Sequence, residues 1–331
     1  MRGAFEVPPE LEPLQAWVFE GLERVVDRME SATGSDIPAV AELCRHVERY
    51  RGKMLRPTLT LLSGAAAGAP SDEPPSDDLV TAAAVVEMVH MATLVHDDIL
   101  DEAAIRRGGQ TVNTLRGNET AVILGDYLIA AAYALCSSVD DQAPARVVAA
   151  VSMELCSGEL LQLDNRDNRS LDEATYFEIL RGKTGSLVGA CGRLGAGAAG
   201  GDEPTRLALE TYGRRVGVAF QIQDDVLDLQ GDQAVVGKTL GQDLGKGKLT
   251  LPLIHHLQHV TQRDREASLR LLDALSETGD STPTDQDDAS NGVLAVLDAT
   301  GSIAAARREA ERLVTEAKDA LQNLPDSPAR T

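Results

Sequence analysis

Two short acidic patterns are the residues best suited to chemistry in this chain: Asp97-Asp98-Ile99-Leu100-Asp101 and Asp224-Asp225-Val226-Leu227-Asp228. Both read DDxxD. On a helix the first and last aspartate of such a motif fall about 40° apart around the axis, so their carboxylates leave from one face. Like charges at that spacing repel, and an unpaired carboxylate inside an apolar helix is costly, so each motif calls for a cation. Hard oxygen donors suit Mg²⁺, which takes one or two carboxylates and completes its octahedron with water and phosphate. Two such helices facing each other in a bundle can grip one Mg²⁺-diphosphate from both sides. The alternative is a pair of solvated acidic faces. At this chain's aspartate content chance supplies about 0.2 copies of the pattern, so two copies within apolar helices favour the metal reading.

Positive charge follows in the sequence. Arg106-Arg107 lie one and a half turns beyond the first motif and precede Gly108-Gly109, where the helix is expected to end. Cations are favoured at a helix C-terminus, and guanidinium forks match phosphate oxygens. Taken alone, the pair reads as a surface cap. In Arg51-Gly52-Lys53-Met54-Leu55-Arg56-Pro57, Lys53 and Arg56 share one side if the segment is helical, and Gly52 permits close backbone approach. Lys183-Thr184 sits between Gly182 and Gly185, where a kink can expose carbonyls and turn an ammonium and a hydroxyl inward. His90, seven residues before Asp97, points from the same face two turns away; a satisfied core histidine is the alternative.

The elements that must position these residues read as helices, because apolar residues recur at three- and four-residue spacing and alternating β-branched runs are hard to find. One helix starts at Ser76 or Asp77, runs through Val85, Val86, Val89 and Leu94, and is expected to continue past Asp101. Another opens on the capping box Ser170-Leu171-Asp172-Glu173. A third starts near Pro204-Thr205 and continues through Phe220 and Val226 to a stop at Gly231. The apolar stretch Thr120 to Cys136 is interrupted by Gly125 and Asp126, falls short of the roughly 18 residues of a membrane span, and is expected as a buried helix. Gly231 to Lys248 is too broken by glycine for a helix, and Glu277 to Asn291 is polar enough to be a mobile connection. With no linker between separate cores, residues 1–331 are expected to form one domain, residues 1–35 being its N-terminal helical region.

The net charge of −21 excludes generic attraction to nucleic acid or anionic lipid, so any bound anion needs a local basic cluster. Four cysteines without CxxC spacing fit a reducing, cytoplasmic setting. The N-terminus lacks the pattern of a secretory signal, and no integral membrane segment is expected.

Read in order, the motifs GKMLRP, EMVHMATLVHDDILDEAAIRRG, GELLQL, KTG, FQIQDDVLD and GKTLGQDLGKGKLTLP resemble those of the trans-isoprenyl (polyprenyl) diphosphate synthases, from about residue 50 to 255 and more loosely into Thr300-Gly301-Ser302-Ile303. The resemblance implies an all-α isoprenoid synthase bundle around a central substrate cavity. It implies a homodimer that elongates an allylic diphosphate with isopentenyl diphosphate by head-to-tail (1′–4) trans condensation and releases diphosphate, which itself serves as the base. It assigns several Mg²⁺ ions to Asp97, Asp101 and Asp224, with Asp98, Asp225 and Asp228 in support. Arg106, Lys183, Thr184, Gln221, Lys238 and Lys248 are assigned to the allylic diphosphate, and Gly52, Lys53, Arg56, His90 and Arg107 to isopentenyl diphosphate. The segment with Lys238, Lys246 and Lys248 looks like the family's flexible closing loop, and His96 supports its neighbour Asp97 rather than reacting.

Two departures stand out: the usual Gly-Gly-Lys-Arg start is Arg51-Gly52-Lys53-Met54, and Gly185 stands where alanine is common. Neither removes an assigned ligand. Product length is expected to be set on the helix before the first motif, at Ala92, Thr93 and Val89, where no aromatic blocks the first turn. A medium-to-long polyprenyl product is therefore expected, with geranylgeranyl or farnesyl diphosphate as the shorter alternatives. A class I terpene cyclase would pair one DDxxD with a different metal motif. A non-catalytic regulatory subunit would lack ligands that are all present here.

Overall fold

Ser76 accepts the Leu79 N–H and caps the helix that carries the first acidic motif, and Asp77 and Asp78 complement the dipole of its first turn. The computed structural model describes residues 8–230, 248–276 and 283–331. In chain order its main helices are α1 (Glu12–Thr33), α2 (Pro38–Val47), α3 (Leu55–Ala66), α4 (Asp77–Leu100), α5 (Val112–Arg116), α6 (Asn118–Cys136), α7 (Ala143–Asp164), α8 (Glu173–Leu180), α9 (Ser186–Ala198), α10 (Glu203–Gln230), α11 (Leu251–His259), α12 (Gln262–Ser276), α13 (Pro283–Ala299) and α14 (Ser302–Ala320). The expected all-α class is what the chain adopts, with one two-stranded hairpin added.

The contacts fall into two compact units. The first comprises Met1–Met153, Leu187–Gly213 and Ala320–Thr331, the second Glu154–Ser186 and Arg214–Asp319. The chain passes from one to the other inside or at the edge of helices, which is why no linker is legible in the sequence.

In the first unit α4 packs against α1, α3 and α6. It is apolar almost all round, from Leu79 to Val95, as a helix buried on every side must be. The expectation that it runs past Asp101 is not met. Glu102 takes the left-handed conformation (φ 51), and the Glu102 and Ala103 N–H groups donate to the Ile99 and Asp98 carbonyls at 3.2 and 2.9 Å, a Schellman turn with a non-glycine residue at its left-handed position. Arg106 and Arg107 therefore lie off the helix. Ile105–Arg106 pairs antiparallel with Gly109–Gln110, and Arg107 (φ 50) and Gly108 (φ 76) form the two-residue turn whose positive φ values define type I′.

The helix α6 also departs from expectation. It is only partly buried, with Val122 and Ile123 exposed at 42% and 66%. By length and apolarity α4 and α6 both match spanning helices, but most of α4 is covered by its neighbours.

In the second unit the core is built from Tyr176 and Leu180 on α8, Ile222, Val226 and Leu229 on α10, Leu253 and Ile254 on α11, Leu272 on α12, and Val293 and Leu297 on α13. His256 is satisfied on both ring nitrogens, by Thr300 Oγ1 at 3.0 Å and Ser268 Oγ at 2.8 Å. Two sequence boundaries shift here. The cap of α8 is Asp172, accepting the Thr175 N–H, so the box expected at Ser170 does not form. Residues 283–291, expected as connection, begin α13.

Candidate active site

Asp98 is buried, at 1% exposure, and its Oδ1 accepts from Arg106 Nε at 2.6 Å. Asp97 is half-buried and Asp101 exposed. Asp101 is the C-cap of α4, its N–H donating to the Asp97 carbonyl at 2.8 Å, so two carboxylates crowd the negative end of the helix dipole. A cation there is doubly favoured. Asn113 donates to the Asp98 carbonyl at 3.2 Å and Thr111 Oγ1 to the Ala103 carbonyl at 2.7 Å, so the turn that aims the motif is tied down from α5.

The basic residues gather in the same unit. Arg107 Nη1 donates to the Tyr50 carbonyl, and its guanidinium occupies the space that a Cβ on residue 52 would need, so Gly52 is glycine because Arg107 lies against it. Arg56 Nε is buried without a hydrogen-bond partner. Glu87, 3% exposed, is the acidic member of the cluster: burial pushes its carboxyl up, against the lowering pull of Arg56, Arg107 and Arg51. Burial first, and then the charges of Arg56, Arg107 and Arg106, drive the His90 imidazole down to about 2, so it is neutral at any working pH. Burial also lowers Arg107, which Glu87 partly offsets. One carboxylate among several guanidinium groups leaves net positive charge in a partly buried cluster, the setting in which an oxyanion binds well. Lys53 is exposed and stands before α3, ahead of the left-handed Met54 (φ 54), so it does not share a helical face with Arg56 as expected.

The second unit repeats the design of the first motif. Asp225 is 1% exposed and accepts from Tyr176 Oη at 2.7 Å and Gln221 Nε2 at 3.1 Å, with Lys248 Nζ 4.0 Å from its Oδ1. Asp224 is exposed and Asp228 half-buried. Gln221 Oε1 in turn accepts from Thr184 Oγ1 at 3.5 Å. Lys183 and Thr184 lie in a π-helical turn, Arg181–Gly185, between α8 and α9, where the expected kink takes the form of a widened turn. Its backbone rests directly on α7: a Cβ on Gly158 would stand 2.6 Å from the Lys183 N, and one on Gly182 would stand 2.9 Å from the Glu154 O. Lys183 Nζ pairs with Glu159 Oε2 at 2.5 Å.

Other residues fall out as follows. His96 meets the Val122 carbonyl at 3.1 Å, its ring lying where a side chain at Gly125 would be, so it joins α4 to α6. Of the length-setting positions, Ala92 and Val89 are buried and Thr93 is half-buried. Lys238 and Lys246, with most of the glycine-rich segment, lie outside the described residues, as do residues 277–282. The sequence assigned no role to Tyr50, Asn113 or Tyr176, and Glu87 and Glu159 fell inside the motifs EMVHMATLVHDDILDEAAIRRG and GELLQL without one. Only their nearness to the motifs marked them, since their partners are distant in the chain.

Both motifs suit a hard divalent cation. Their accessible donors are carboxylate oxygens only, and among the described residues no three His, Cys, Asp or Glu side chains converge on one point. A cation held by one motif must therefore draw its remaining ligands from water and phosphate, which is the habit of Mg²⁺.

The polyprenyl synthetase family model matches residues 37–286. An octaprenyl diphosphate synthase of Haemophilus influenzae is 31% identical over 317 residues, covering 96% of this chain and 92% of that protein. The crystal structure of a decaprenyl diphosphate synthase from Rhodobacter capsulatus superposes with a TM-score of 0.85 at 33% identity, covering 97% of this chain and 95% of the other. That of a geranylgeranyl pyrophosphate synthetase from Pyrococcus horikoshii gives 0.84 at 31%, covering 96% and 95%. With the acidic motifs, the basic cluster and the helical fold in place, the chain belongs to the polyprenyl synthetase family.

Proposed function

We propose that this chain elongates an allylic diphosphate by repeated head-to-tail (1′–4) trans condensation with isopentenyl diphosphate, releasing diphosphate each time, and that its product is a medium-to-long polyprenyl diphosphate. The observation that carries the reading is the shared design of the two motifs: in each, the second aspartate is buried and held by protein partners, while the first and last stay accessible. Asp97, Asp101, Asp224 and Asp228 would hold Mg²⁺ ions on the allylic diphosphate. Bound there, Mg²⁺ supplies Lewis-acid stabilisation of the departing diphosphate. Arg106, Lys183 and Lys248 add cationic charge to the leaving group, and Thr184 and Gln221 orient it. Arg56, Arg107, Lys53 and the Gly52 backbone bind isopentenyl diphosphate, with neutral His90 beside them. The carbon–carbon bond forms as the isopentenyl double bond attacks the allylic cation, and a proton leaves to the released diphosphate. No side chain needs a pKa near neutrality for that transfer.

The exposed Val122 and Ile123 on α6 support a homodimer, since large apolar side chains clustered at a surface are readily covered by a second copy. Incubation with labelled isopentenyl diphosphate, Mg²⁺ and primers from dimethylallyl to geranylgeranyl diphosphate, followed by sizing of the products, tests the reading. Products longer than the C20 geranylgeranyl chain are expected. A C20 end point would assign the shorter alternative, and no elongation from any primer would overturn the activity.

A further inference from the structure

Tyr50 closes the 3₁₀ turn Glu48–Tyr50, is 2% exposed, and takes no part in the chemistry above. Its position is unusual because it meets residues assigned to both substrates. Its carbonyl accepts from Arg107 Nη1. Its phenol oxygen accepts the Val112 N–H at 3.3 Å, and its ring lies 6.0 Å from the Arg106 guanidinium carbon. That guanidinium is the one whose Nε is bonded to Asp98 Oδ1 at 2.6 Å, so the phenol and the Asp98 carboxylate flank the same arginine; burial first and then the Asp98 carboxylate raise the phenol pKa. Asp98 has an unfilled need on that side. Its Oδ1 is bonded to Arg106, but its Oδ2 is buried without a hydrogen-bond partner. A buried carboxylate oxygen left unpaired is costly, so a hydroxyl beside it, with its own proton uncommitted, is the natural donor.

We propose that Tyr50 is a positioning residue that couples the two anion-binding groups of the first unit. Its hydroxyl donates to Asp98 Oδ2 and sets the α4 terminus that presents Asp97 and Asp101, while its carbonyl holds the Arg107 guanidinium against Gly52. This rests on the assignment of Asp97 and Asp101 to Mg²⁺ and of Arg107 to isopentenyl diphosphate.

The two attachments are separable. Tyr50→Phe deletes the hydroxyl and leaves the carbonyl, so it should loosen the acidic motif alone. In the 331-residue chain Tyr50→Phe is expected to raise the Kd of Mg²⁺ measured by calorimetry in the presence of inorganic diphosphate, and the KM for the allylic diphosphate, by about 5- to 20-fold. The KM for isopentenyl diphosphate should move less than about twofold. Gly52→Ala, whose Cβ would collide with the Arg107 guanidinium, should show the reverse split. A combined Tyr50→Phe, Asp98→Asn variant should show a smaller Mg²⁺ effect than the product of the two single effects.

Unaltered Mg²⁺ dependence and KM in Tyr50→Phe would overturn the inference, as would an equal rise in all three constants accompanied by a lower melting temperature, which would make the role purely structural. An inactive wild-type enzyme would instead overturn the functional reading beneath it.

Discussion

Asp98 and Asp225 are each 1% exposed, while the aspartates before them and three beyond are accessible, so substitutions within one motif should divide into two kinds. Removing one partner of a largely buried ion pair leaves the other uncompensated. Asp98→Ala, which strands Arg106, should therefore lower unfolding free energy by about 3 kcal/mol, against less than about 1 kcal/mol for Asp97→Ala, as read by urea titration. In the elongation assay Asp97→Ala should lose about 100-fold or more in rate while remaining folded. Equal stability losses at both positions would contradict this division.

His90 makes a separate prediction. Its folded-state pKa is depressed to about 2 from an ordinary value of 6.5, so between those limits the unfolded chain binds more protons than the folded one. The stability this histidine contributes is fully present above 6.5 and is lost as pH falls below it. At pH 5 the loss amounts to about 2 kcal/mol in the substrate-free enzyme. His90→Asn should flatten the stability profile between pH 7 and 5 by that amount in denaturant titrations at the two pH values.

Among the elements, the π-helical turn at Arg181–Gly185 depends on backbone touching backbone at Gly158 and Gly182. Gly158→Ala places a Cβ 2.6 Å from the Lys183 N, where no flexible side chain can give way. It should cost about 1–3 kcal/mol in stability by overpacking. It should also weaken allylic diphosphate binding, since Lys183 and Thr184 move with the turn. Melting temperature and KM measured on the same preparation check both effects. On α4, Thr93 is the half-buried member of the length-setting positions, whereas Ala92 is already closed in by neighbours. Thr93→Phe is accordingly the substitution expected to shorten the product in chromatographic sizing, while Ala92→Phe should cost stability as well. An unchanged product distribution in Thr93→Phe would remove α4 from length control.

At the scale of the molecule, the exposed face of α6 carries Val122 and Ile123, although the rest of the helix is built of residues apolar enough for a core. If a second copy covers this face, Ile123→Asp should convert a particle of twice the 35.2 kDa chain mass into one of single mass, as light scattering would read. The same variant would remain dimeric if another surface held the subunits together.

The helical class, the cap at Ser76 and the course of α10 were legible in the sequence, because they follow from a local 3.6-residue period and from neighbours within one turn. What the sequence left open was decided by partners far along the chain. Tyr176 reaches Asp225 across 49 residues and Arg107 reaches the Tyr50 carbonyl across 57, so only folding selects which aspartate of each motif is buried and held. The end of α4 was misread for a related reason. Glu102 adopts a left-handed turn that its own type disfavours, and the contacts of Asn113 and Thr111 beyond it, made only once α5 docks, hold that turn and bring the Arg106–Arg107 hairpin back over the acidic motif.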